Sequence, residues 1–306
     1  MKVLIATQKP FAAVAVEGIK SILEEAGHEV ALLEKYPAQE DFVAAVADVE
    51  ALIIRSDKVT PEVIAAAPKL KIVVRAGAGF DNVDLAAASA AGVVVMNTPG
   101  QNSNAVAELA LGLMIFMART QFTPATGSEI EGKRLGIQAF GNVGRLVGAK
   151  AKALGMKVSA IDPFLPDEKI IAGGAEPASS LEALYAGSDY LSIHIPATPE
   201  TIGSIGYDLI ASMPKGATLI NTARKEVIDE AGLAKALRER PDLKYAADVA
   251  PDCYEALREE FGLRVFATPK KMGAQTSEAN INAGLAAARQ IVSFFATGDT
   301  RFQVNR

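Results

Sequence analysis

The chain of 306 residues has a single cysteine, no tryptophan and only two histidines. One thiol, Cys253, excludes an internal disulfide and is typical of proteins that work in a reducing compartment. The most apolar stretch, residues 109–118, is about half as long as a membrane span requires, and residues 1–6 are typical of a strand rather than of a signal peptide. The formal net charge of −5 leaves no broad basic surface for nucleic acid. We therefore expect a soluble, cytoplasmic protein with no nucleic-acid, membrane or metal-ion partner.

Strand-like and helical runs alternate along almost the whole chain, which favours parallel sheets joined by crossover helices. The predicted strands are Val3–Ala6, Val30–Leu33, Ala51–Arg55, Lys71–Arg75, Val93–Met96, Leu135–Phe140, Met156–Ile161, Tyr190–Ile195, Ala217–Asn221, Lys244–Asp248 and Arg264–Ala267. The strands before residue 98 form one doubly wound unit, and a second unit begins at Leu135. A long apolar helix, Ala105–Arg119, lies between them, and an alanine-rich helix, Ser277–Thr297, is the last element. The predicted fold class is α/β, with two Rossmann-like doubly wound parallel-sheet domains facing across a cleft.

One continuous stretch, residues 134–162, has the layout of a dinucleotide site. Its first strand runs into Gly141-Asn142-Val143-Gly144, a helical run follows, and the next strand ends on Asp162. Gly141 lets the backbone approach a pyrophosphate, Gly144 lets the helix pack closely on the strand, and the helix N-terminus supplies amide donors. A carboxylate at Asp162 can hold both ribose hydroxyls and repels a 2′-phosphate, which predicts NAD rather than NADP. The first glycine of the usual G-x-G-x-x-G pattern is replaced by Ala139.

Three loops at predicted strand ends carry groups suited to an acidic substrate. The glycines of residues 75–82 expose backbone amides that can cradle a carboxylate or phosphate. The arginine of residues 221–226 can grip an α-keto carboxylate in a bidentate manner and polarise the neighbouring carbonyl. Residues 268–276 place two adjacent lysines between a proline and a glycine. Taken singly, these features are typical of a turn, a surface ion pair and solvated lysines; their shared position at strand ends beside a cofactor motif favours a functional site.

The sequence resembles the D-2-hydroxyacid dehydrogenases, which reduce α-keto acids with NADH. The likeness runs nearly end to end and is densest in Ile54-Arg55-Ser56, residues 75–84, residues 96–100, residues 106–109, His194-Ile195-Pro196 and residues 213–216. It implies a flavodoxin-like substrate domain in two pieces, residues 1–97 and 275–306, and an NAD-binding Rossmann domain over residues 98–274. It also implies a homodimer formed through the cofactor domain. The sequence stops shortly after Arg301, so we expect no C-terminal serine-sensing domain of the kind that many of these enzymes carry.

More specifically, the chain resembles the members of the family that act on 3-phospho-D-glycerate. This resemblance implies that two segments, Arg55-Ser56 and Arg75-Ala76-Gly77-Ala78, bind the phosphate and carboxylate ends of the substrate. For the cofactor it implies contacts from the glycine loop, Gly141-Asn142-Val143-Gly144, from Asp162 and from residues further along the chain. These further residues are His194, Thr222, Ala223, Asp248 and Gly273.

The family's catalytic trio of Arg, Glu and His is only partly present. Arg224 lies in the family's Asn-Thr-Ala-Arg motif. Counting back from Gly273, Lys271 occupies the place of the histidine, and Lys270 is the alternative because the loop has one extra residue. Cys253 stands where the glutamate is expected, and no neighbouring base supports a nucleophilic role for it.

Losing the histidine and the glutamate together has a physical explanation. A histidine with an ordinary pKa of about 6.5 needs a partner to stay protonated, whereas a lysine with a pKa of about 10.4 is protonated without help. The resemblance is therefore to a subgroup of the family in which lysine replaces the catalytic histidine. We expect Arg224 to hold the substrate carboxylate and Lys271 to act as acid and base. The candidates for replacing the glutamate are Asp248, Asp252 and Glu255, or no residue at all.

The implied reaction is the NAD-dependent oxidation of 3-phospho-D-glycerate to 3-phosphohydroxypyruvate, the first step of serine biosynthesis. One alternative is a reductase for glyoxylate, hydroxypyruvate or similar keto acids. Arg55 and Arg75 argue against it, because an uncharged substrate tail does not need two arginines. The other alternative is a non-catalytic NADH-sensing protein, which the altered catalytic trio would fit.

Overall fold

The computed structural model describes residues 1–305, which form two compact units. Unit 1 consists of residues 1–102 and 276–305, and unit 2 consists of residues 103–275. Arg306, the last residue of the predicted substrate domain, lies outside the described residues. Within residues 1–305, no helix is both long and apolar enough to cross a membrane, and no group of His, Cys, Asp or Glu side chains is placed to hold a metal ion.

The strands form one parallel sheet in each unit. Sheet 1, in unit 1, contains β1 (Lys2–Thr7), β2 (Glu29–Glu34), β3 (Ala51–Ile54), β4 (Ile72–Arg75) and β5 (Val94–Asn97). Sheet 2, in unit 2, contains β6 (Arg134–Gln138), β7 (Lys157–Ile161), β8 (Glu176–Pro177), β9 (Tyr190–Ile193), β10 (Thr218–Asn221), β11 (Lys244–Ala247) and β12 (Val265–Ala267). The spatial order is β2-β1-β3-β4-β5 in sheet 1 and β12-β11-β10-β9-β6-β7-β8 in sheet 2.

Helices connect successive strands in both units. Unit 1 contains α1 (Ala13–Glu25), α2 (Gln39–Ala45), α3 (Pro61–Ala65), α4 (Leu85–Ala90) and, from the C-terminal segment, α12 (Ser277–Thr297). Unit 2 contains α5 (Ser103–Ala118), α6 (Asn142–Ala153), α7 (Asp167–Ala172), α8 (Leu181–Ala186), α9 (Tyr207–Ser212), α10 (Glu230–Glu239) and α11 (Tyr254–Phe261). The predicted α/β class with doubly wound parallel sheets is confirmed.

The apolar side chains of each strand alternate between the two faces of its sheet, and both faces are covered. In β1, Leu4 and Ala6 belong to the apolar cluster on one face of sheet 1, whereas Val3 and Ile5 belong to the cluster on the other. In sheet 2, β11 alternates in the same way between two further clusters. A strand that is buried on both faces forms a nearly continuous apolar run, which is why these strands could be found in the sequence.

The C-terminal segment completes unit 1. Ala287 and Ile291 of α12 belong to the cluster on one face of sheet 1, beside α1. At the free edge of β5, the Asn305 side chain accepts a hydrogen bond from the Val95 amide (2.9 Å) and donates one to the Val93 carbonyl (2.8 Å). The apolar core of unit 1 is therefore formed jointly by residues 1–102 and by the C-terminal segment, residues 276–305.

The strand order reverses at one point in each sheet. In sheet 2, β6 has β7 on one side and β9 on the other; in sheet 1, β1 lies between β2 and β3. Ligands of open α/β sheets bind outside the carboxyl ends of the strands at such a point. Because the strands of sheet 2 are parallel, the loops that follow β6, β7, β9, β10, β11 and β12 all lie along this edge.

Candidate active site

The loop between β6 and α6 packs closely against the first turn of the helix. Ala139, at the first-glycine position, has a φ of +73°, in the left-handed region where glycine is favoured. A Cβ atom at Gly144 would lie 2.3 Å from the Ala139 carbonyl oxygen, so only glycine lets α6 approach this closely. At Gly141, the N-cap of α6, an added Cβ would meet no atom within 4 Å. The packing of the protein therefore does not require glycine at position 141, and the open space suits a group that approaches the helix N-terminus, as a pyrophosphate does.

Asp162, directly after β7, is bonded to the same loop. Its Oδ2 accepts a hydrogen bond from the Phe140 amide (2.9 Å), and its Oδ1 accepts one from the Phe164 amide (2.9 Å). Arg145 of α6 donates from Nε to the Phe140 carbonyl (3.0 Å). The structure thus brings Asp162 together with Gly141-Asn142-Val143-Gly144, in the arrangement by which sheets of this order hold the ribose and pyrophosphate of a dinucleotide.

His194 follows β9, the strand beside β6. Its Nε2 lies 2.9 Å from Ser192 Oγ, and its Nδ1 lies 3.4 Å from Thr222 Oγ1. Burial of the ring lowers the pKa of His194 to about 3, so the imidazole is uncharged at neutral pH. A neutral ring with hydroxyls near both nitrogens is suited to packing and hydrogen bonding rather than to proton donation.

Arg224 is carried by a turn that Asn221 braces at the end of β10. The buried Asn221 side chain accepts a hydrogen bond from the Ala223 amide (3.0 Å) and donates one to the Arg224 carbonyl (2.9 Å). The Arg224 guanidinium donates through Nη1 to the Ala223 carbonyl (2.9 Å). A guanidinium has five N–H donors, so one that uses a donor in this way can still bind a carboxylate in a bidentate manner. Thr222 and Ala223, predicted to contact the cofactor, lie in the same turn.

Lys270 and Lys271 lie exposed in the loop that follows β12. The buried Asp248, at the end of β11, accepts hydrogen bonds from two amides of this loop, those of Met272 (2.7 Å) and Gly273 (2.9 Å). Because β10, β11 and β12 are neighbours, the strand ends before Arg224 and before the lysines are two strand spacings, about 10 Å, apart. A small substrate can span that distance.

The segment where the family's glutamate is expected is held by residues that the sequence analysis did not find. Glu230, at the start of α10, accepts hydrogen bonds from the amides of Asp252 (2.7 Å) and Cys253 (2.9 Å). The Asp252 carboxylate forms an ion pair with Lys225. Burial raises the pKa of the Cys253 thiol to about 12, so the thiol stays protonated and is unsuited to nucleophilic attack. No helix was assigned to residues 230–239 from the sequence, so nothing in the sequence analysis pointed to Glu230.

In unit 1, Arg55 follows β3, and its guanidinium is engaged by neighbouring groups. Nη1 donates to the carbonyl oxygens of Lys9 (3.0 Å) and Pro10 (2.8 Å), and Nη2 donates to Oδ1 of Asn280 (2.5 Å). Burial lowers the pKa of the guanidinium from its usual value. These bonds tie the loop after β1 to the end of β3, while Ser56, the next residue, is exposed.

Arg75, the last residue of β4, folds over the loop that follows it. Its Nε donates to the Arg55 carbonyl (2.9 Å). A Cβ atom at Gly77 would lie 1.6 Å from Arg75 Nη1, and Gly77 has a φ of +148°, so this arrangement requires glycine. The Gly77 amide donates to Thr98 Oγ1 (2.7 Å). The structure thus brings the segments Arg55-Ser56 and Arg75–Ala78 together at the carboxyl edge of sheet 1.

Comparison with known proteins establishes the family. A family model described as "D-isomer specific 2-hydroxyacid dehydrogenase, NAD binding domain" matches residues 112–265. D-3-phosphoglycerate dehydrogenase of Methanocaldococcus jannaschii is 38% identical over 289 residues, which cover 88% of this chain. The chain belongs to the D-isomer-specific 2-hydroxyacid dehydrogenase family. The residues that match this NAD-binding domain, 112–265, all lie within unit 2.

Two further relatives agree with this family. The D-3-phosphoglycerate dehydrogenase of Rattus norvegicus is 37% identical over 291 residues, 89% of this chain. The crystal structure of NAD⁺-bound 3-phosphoglycerate dehydrogenase of Entamoeba histolytica is 49% identical, has a TM-score of 0.87 and covers 100% of this chain and 99% of that one. The chain spans about half the length of the curated relatives it matches, 54% of both the archaeal and the rat protein. The family resemblance found in the sequence is confirmed.

Proposed function

We propose that this protein oxidises 3-phospho-D-glycerate to 3-phosphohydroxypyruvate with NAD, the first step of serine biosynthesis. The observation that carries the proposal is that one edge of sheet 2 holds the glycine loop, Asp162, Arg224 and the lysine loop of residues 268–275. The relatives support it, because the proteins that are 38% and 49% identical to this chain are both phosphoglycerate dehydrogenases by name.

The residues around the β6–α6 loop fit NAD. The open space at Gly141 leaves room for a pyrophosphate at the N-terminus of α6, and the amides in the first turn of a helix have no partner within the helix itself. Asp162 would accept hydrogen bonds from the ribose hydroxyls. We assign further cofactor contacts to His194, Thr222, Ala223, Asp248 and Gly273. When bound, NAD supplies the hydride acceptor.

Arg224 and Lys271 do the chemical work in this proposal. Arg224 binds the substrate carboxylate through two parallel N–H donors and thereby orients the carbon that bears the hydroxyl. Lys271, as a neutral amine, accepts the hydroxyl proton during oxidation and, as an ammonium ion, returns it in the reverse reaction. In the reverse reaction a lysine is protonated without a partner, so no glutamate is needed at position 253 to keep the proton donor charged.

We assign the ends of the substrate in unit 1 to Arg55-Ser56 and Arg75–Ala78. One observation favours a second candidate function. The Arg55 guanidinium already donates to Lys9, Pro10 and Asn280, as expected of an arginine retained for local structure. In that case the substrate would be an unphosphorylated keto acid such as hydroxypyruvate or glyoxylate.

The family resemblance also supports a homodimer. The single cysteine supports a protein that works in the reducing cytoplasm. Light scattering coupled to gel filtration measures the molar mass in solution. A mass near twice that of the 32.0 kDa chain is expected, and a monomer would contradict the proposed assembly.

The proposed reaction is tested by following NADH oxidation with 3-phosphohydroxypyruvate, hydroxypyruvate and glyoxylate in parallel. A kcat/KM highest for the phosphorylated substrate is expected. Equal or faster turnover of the unphosphorylated acids would assign the second function instead. Binding of NADH without turnover of any of the three would contradict both and leave the NADH-sensing alternative.

A further inference from the structure

The loop that carries Lys271 has no strand or helix of its own. Residues 268–275 follow β12, and the two lysines are exposed. Exposed loops of this kind open readily and let their side chains sample many positions. For an acid–base group such freedom is harmful, because a displacement of about 1 Å can lower a rate by about 100-fold.

Both peptide bonds that flank Lys271 are nevertheless held by side chains at the edge of sheet 2. The carbonyl oxygen of Lys270, in the peptide bond before Lys271, lies 2.8 Å from Thr268 Oγ1. The amide of Met272, in the peptide bond after it, donates to Asp248 Oδ1 at 2.7 Å. Fixing these two peptide planes fixes the Cα atom of Lys271 and the direction in which its side chain leaves the backbone.

Asp248 is well suited to this role because it is only 1% exposed. A buried carboxylate is stable only where donors surround it, and here donors come from the loop itself. Besides the Met272 amide, the Gly273 amide donates to Asp248 Oδ2 at 2.9 Å. Thr268 Oγ1 lies beside the Asp248 carbonyl oxygen and 3.2 Å from Asp248 Oδ1, and its single hydroxyl proton is donated either to one of these two oxygens or to the Lys270 carbonyl. If the loop opened, the carboxylate would lose these partners, so the closed conformation is favoured.

The glycine at position 273 makes the contact possible. A Cβ atom there would lie 2.8 Å from Asp248 Oδ2 and 3.2 Å from Val106 Cγ2. Any larger residue would push the loop away from the carboxylate. The buried acid and the glycine are therefore complementary, which distinguishes this contact from a chance hydrogen bond in a surface loop.

We propose that Asp248 and Thr268 form a clamp that positions Lys271. The inference rests on the proposed function, in which Lys271 is the acid and base. The clamp grips the backbone on both sides of Lys271, which distinguishes this lysine from Lys270. Asp248 and Thr268 are positioning residues, because they act on the reaction only through the loop that carries Lys271. Asp248 thus supplies a carboxylate that orients the acid–base group, although the family's glutamate is absent.

The test uses Asp248→Asn and the pair Thr268→Val and Thr268→Ser in the full chain. Asn keeps the shape of Asp but presents an NH₂ group to one of the loop amides, whereas Val removes the Thr268 hydroxyl and Ser restores it. Glu259→Gln, an exposed carboxylate on α11, is the matched control. Hydrogen–deuterium exchange of peptides that cover residues 268–276 is measured without cofactor, and kcat is measured at saturating NAD.

The clamp predicts that loop exchange becomes about 10-fold faster or more in Asp248→Asn and Thr268→Val, since opening then costs fewer bonds. The kcat of both should fall by about 10- to 100-fold. Thr268→Ser and Glu259→Gln should match the wild type in both measurements. If Asp248→Asn does not fold, the comparison of Val with Ser at position 268 decides the question alone.

Loop exchange that is unchanged in both Asp248→Asn and Thr268→Val would overturn the clamp, as would loss of NAD affinity in Asp248→Asn with unchanged loop exchange. The latter result would make Asp248 a cofactor contact only. The exchange measurement needs no turnover. A wild-type protein that turns over none of the three keto acids would therefore refute the proposed function while leaving the clamp to be decided by exchange.

Discussion

Lys271 is the residue on which the proposed chemistry depends most. Replacing it with alanine removes the proton acceptor and should lower kcat for 3-phospho-D-glycerate oxidation by about 10²- to 10⁴-fold. The affinity for NADH, measured by fluorescence titration, should stay within about 3-fold, because the amine is assigned to the reaction and not to the cofactor. Lys270→Ala is the matched comparison, since it removes the same charge one residue away. Wild-type turnover in Lys271→Ala would disprove the assignment, and a loss confined to Lys270→Ala would transfer it to Lys270.

His194 makes a prediction about stability rather than catalysis. Its pKa is lowered to about 3 in the folded protein, whereas an unfolded histidine has a pKa of about 6.5. Between these values the unfolded chain binds the extra proton, so the free energy of unfolding falls as the pH falls through this window, by about 2 kcal/mol at pH 5. His194→Gln cannot titrate and should make the difference in unfolding free energy between pH 7 and pH 5 smaller by about that amount. Urea unfolding at the two pH values measures it. A difference equal to that of the wild type would mean that the folded protein already holds His194 protonated at pH 5.

Single residues also mark where sequence reasoning reaches its limit. Arg224 and Lys271 could be proposed as site residues from a motif and from counting, because these depend only on the order of residues. The hydrogen bonds of Asp248 could not, because they depend on the path of a loop with one extra residue. The hydrogen bond from Arg55 to Asn280 could not be predicted either, because the two residues lie in segments far apart in the chain.

At the scale of elements, the packing of α6 on β6 carries the most specific prediction. A Cβ atom at Gly144 would lie 2.3 Å from the Ala139 carbonyl oxygen and 3.1 Å from Ile137 Cγ2, so Gly144→Ala must push the helix N-terminus away from the strand. We expect a loss of stability of about 1–3 kcal/mol and a clearly weaker affinity for NAD, because the amides of this turn move with the helix. Thermal unfolding and NADH titration measure the two effects.

Gly112 of α5 provides the control for this substitution. It is also a helical glycine of unit 2, but an added Cβ there would meet no atom within 4 Å. Gly112→Ala should therefore stabilise the protein by about 0.5–1 kcal/mol through helix propensity and leave NAD affinity unchanged. If Gly144→Ala behaved like Gly112→Ala, the close approach of α6 would not matter for either property.

The elements that could be predicted are those whose signal is local. Strands buried on both faces stand out as apolar runs, and the last helix was found with the bounds it has, Ser277–Thr297. The two-residue strand β8 was missed because it is short and ends on proline. Thr120, Gln121 and Phe122 have φ values of +51°, +56° and +57°, and nothing in the sequence indicated this. The Gln121 side chain bonds the Leu263 carbonyl (2.9 Å), a partner that no local pattern can show.

At the scale of the whole molecule, two units with separate apolar clusters share one chain. Unit 1 contains the clusters of sheet 1, to which α12 contributes, and unit 2 contains those of sheet 2. Unit 1 cannot complete its core until residues 276–305 have joined it, whereas unit 2 is continuous in sequence. We therefore expect that a substitution or a ligand in one unit changes the unfolding temperature of that unit and leaves the unfolding temperature of the other unchanged.

Two treatments test whether the units unfold separately: Asn305→Ala, which should destabilise unit 1, and NAD, which should stabilise unit 2. Asn305→Ala leaves the Val95 amide and the Val93 carbonyl without the partner they have at the edge of β5, which should lower the unfolding temperature of unit 1 by several degrees for a loss of about 2 kcal/mol. NAD at about 100 times its Kd should stabilise unit 2 by about 2.7 kcal/mol. Calorimetry should then show two steps, the variant lowering one and NAD raising the other. A single step that both treatments move would mean that the two cores unfold as one cooperative unit, and that the stability of the cofactor site depends on the last residues of the other unit.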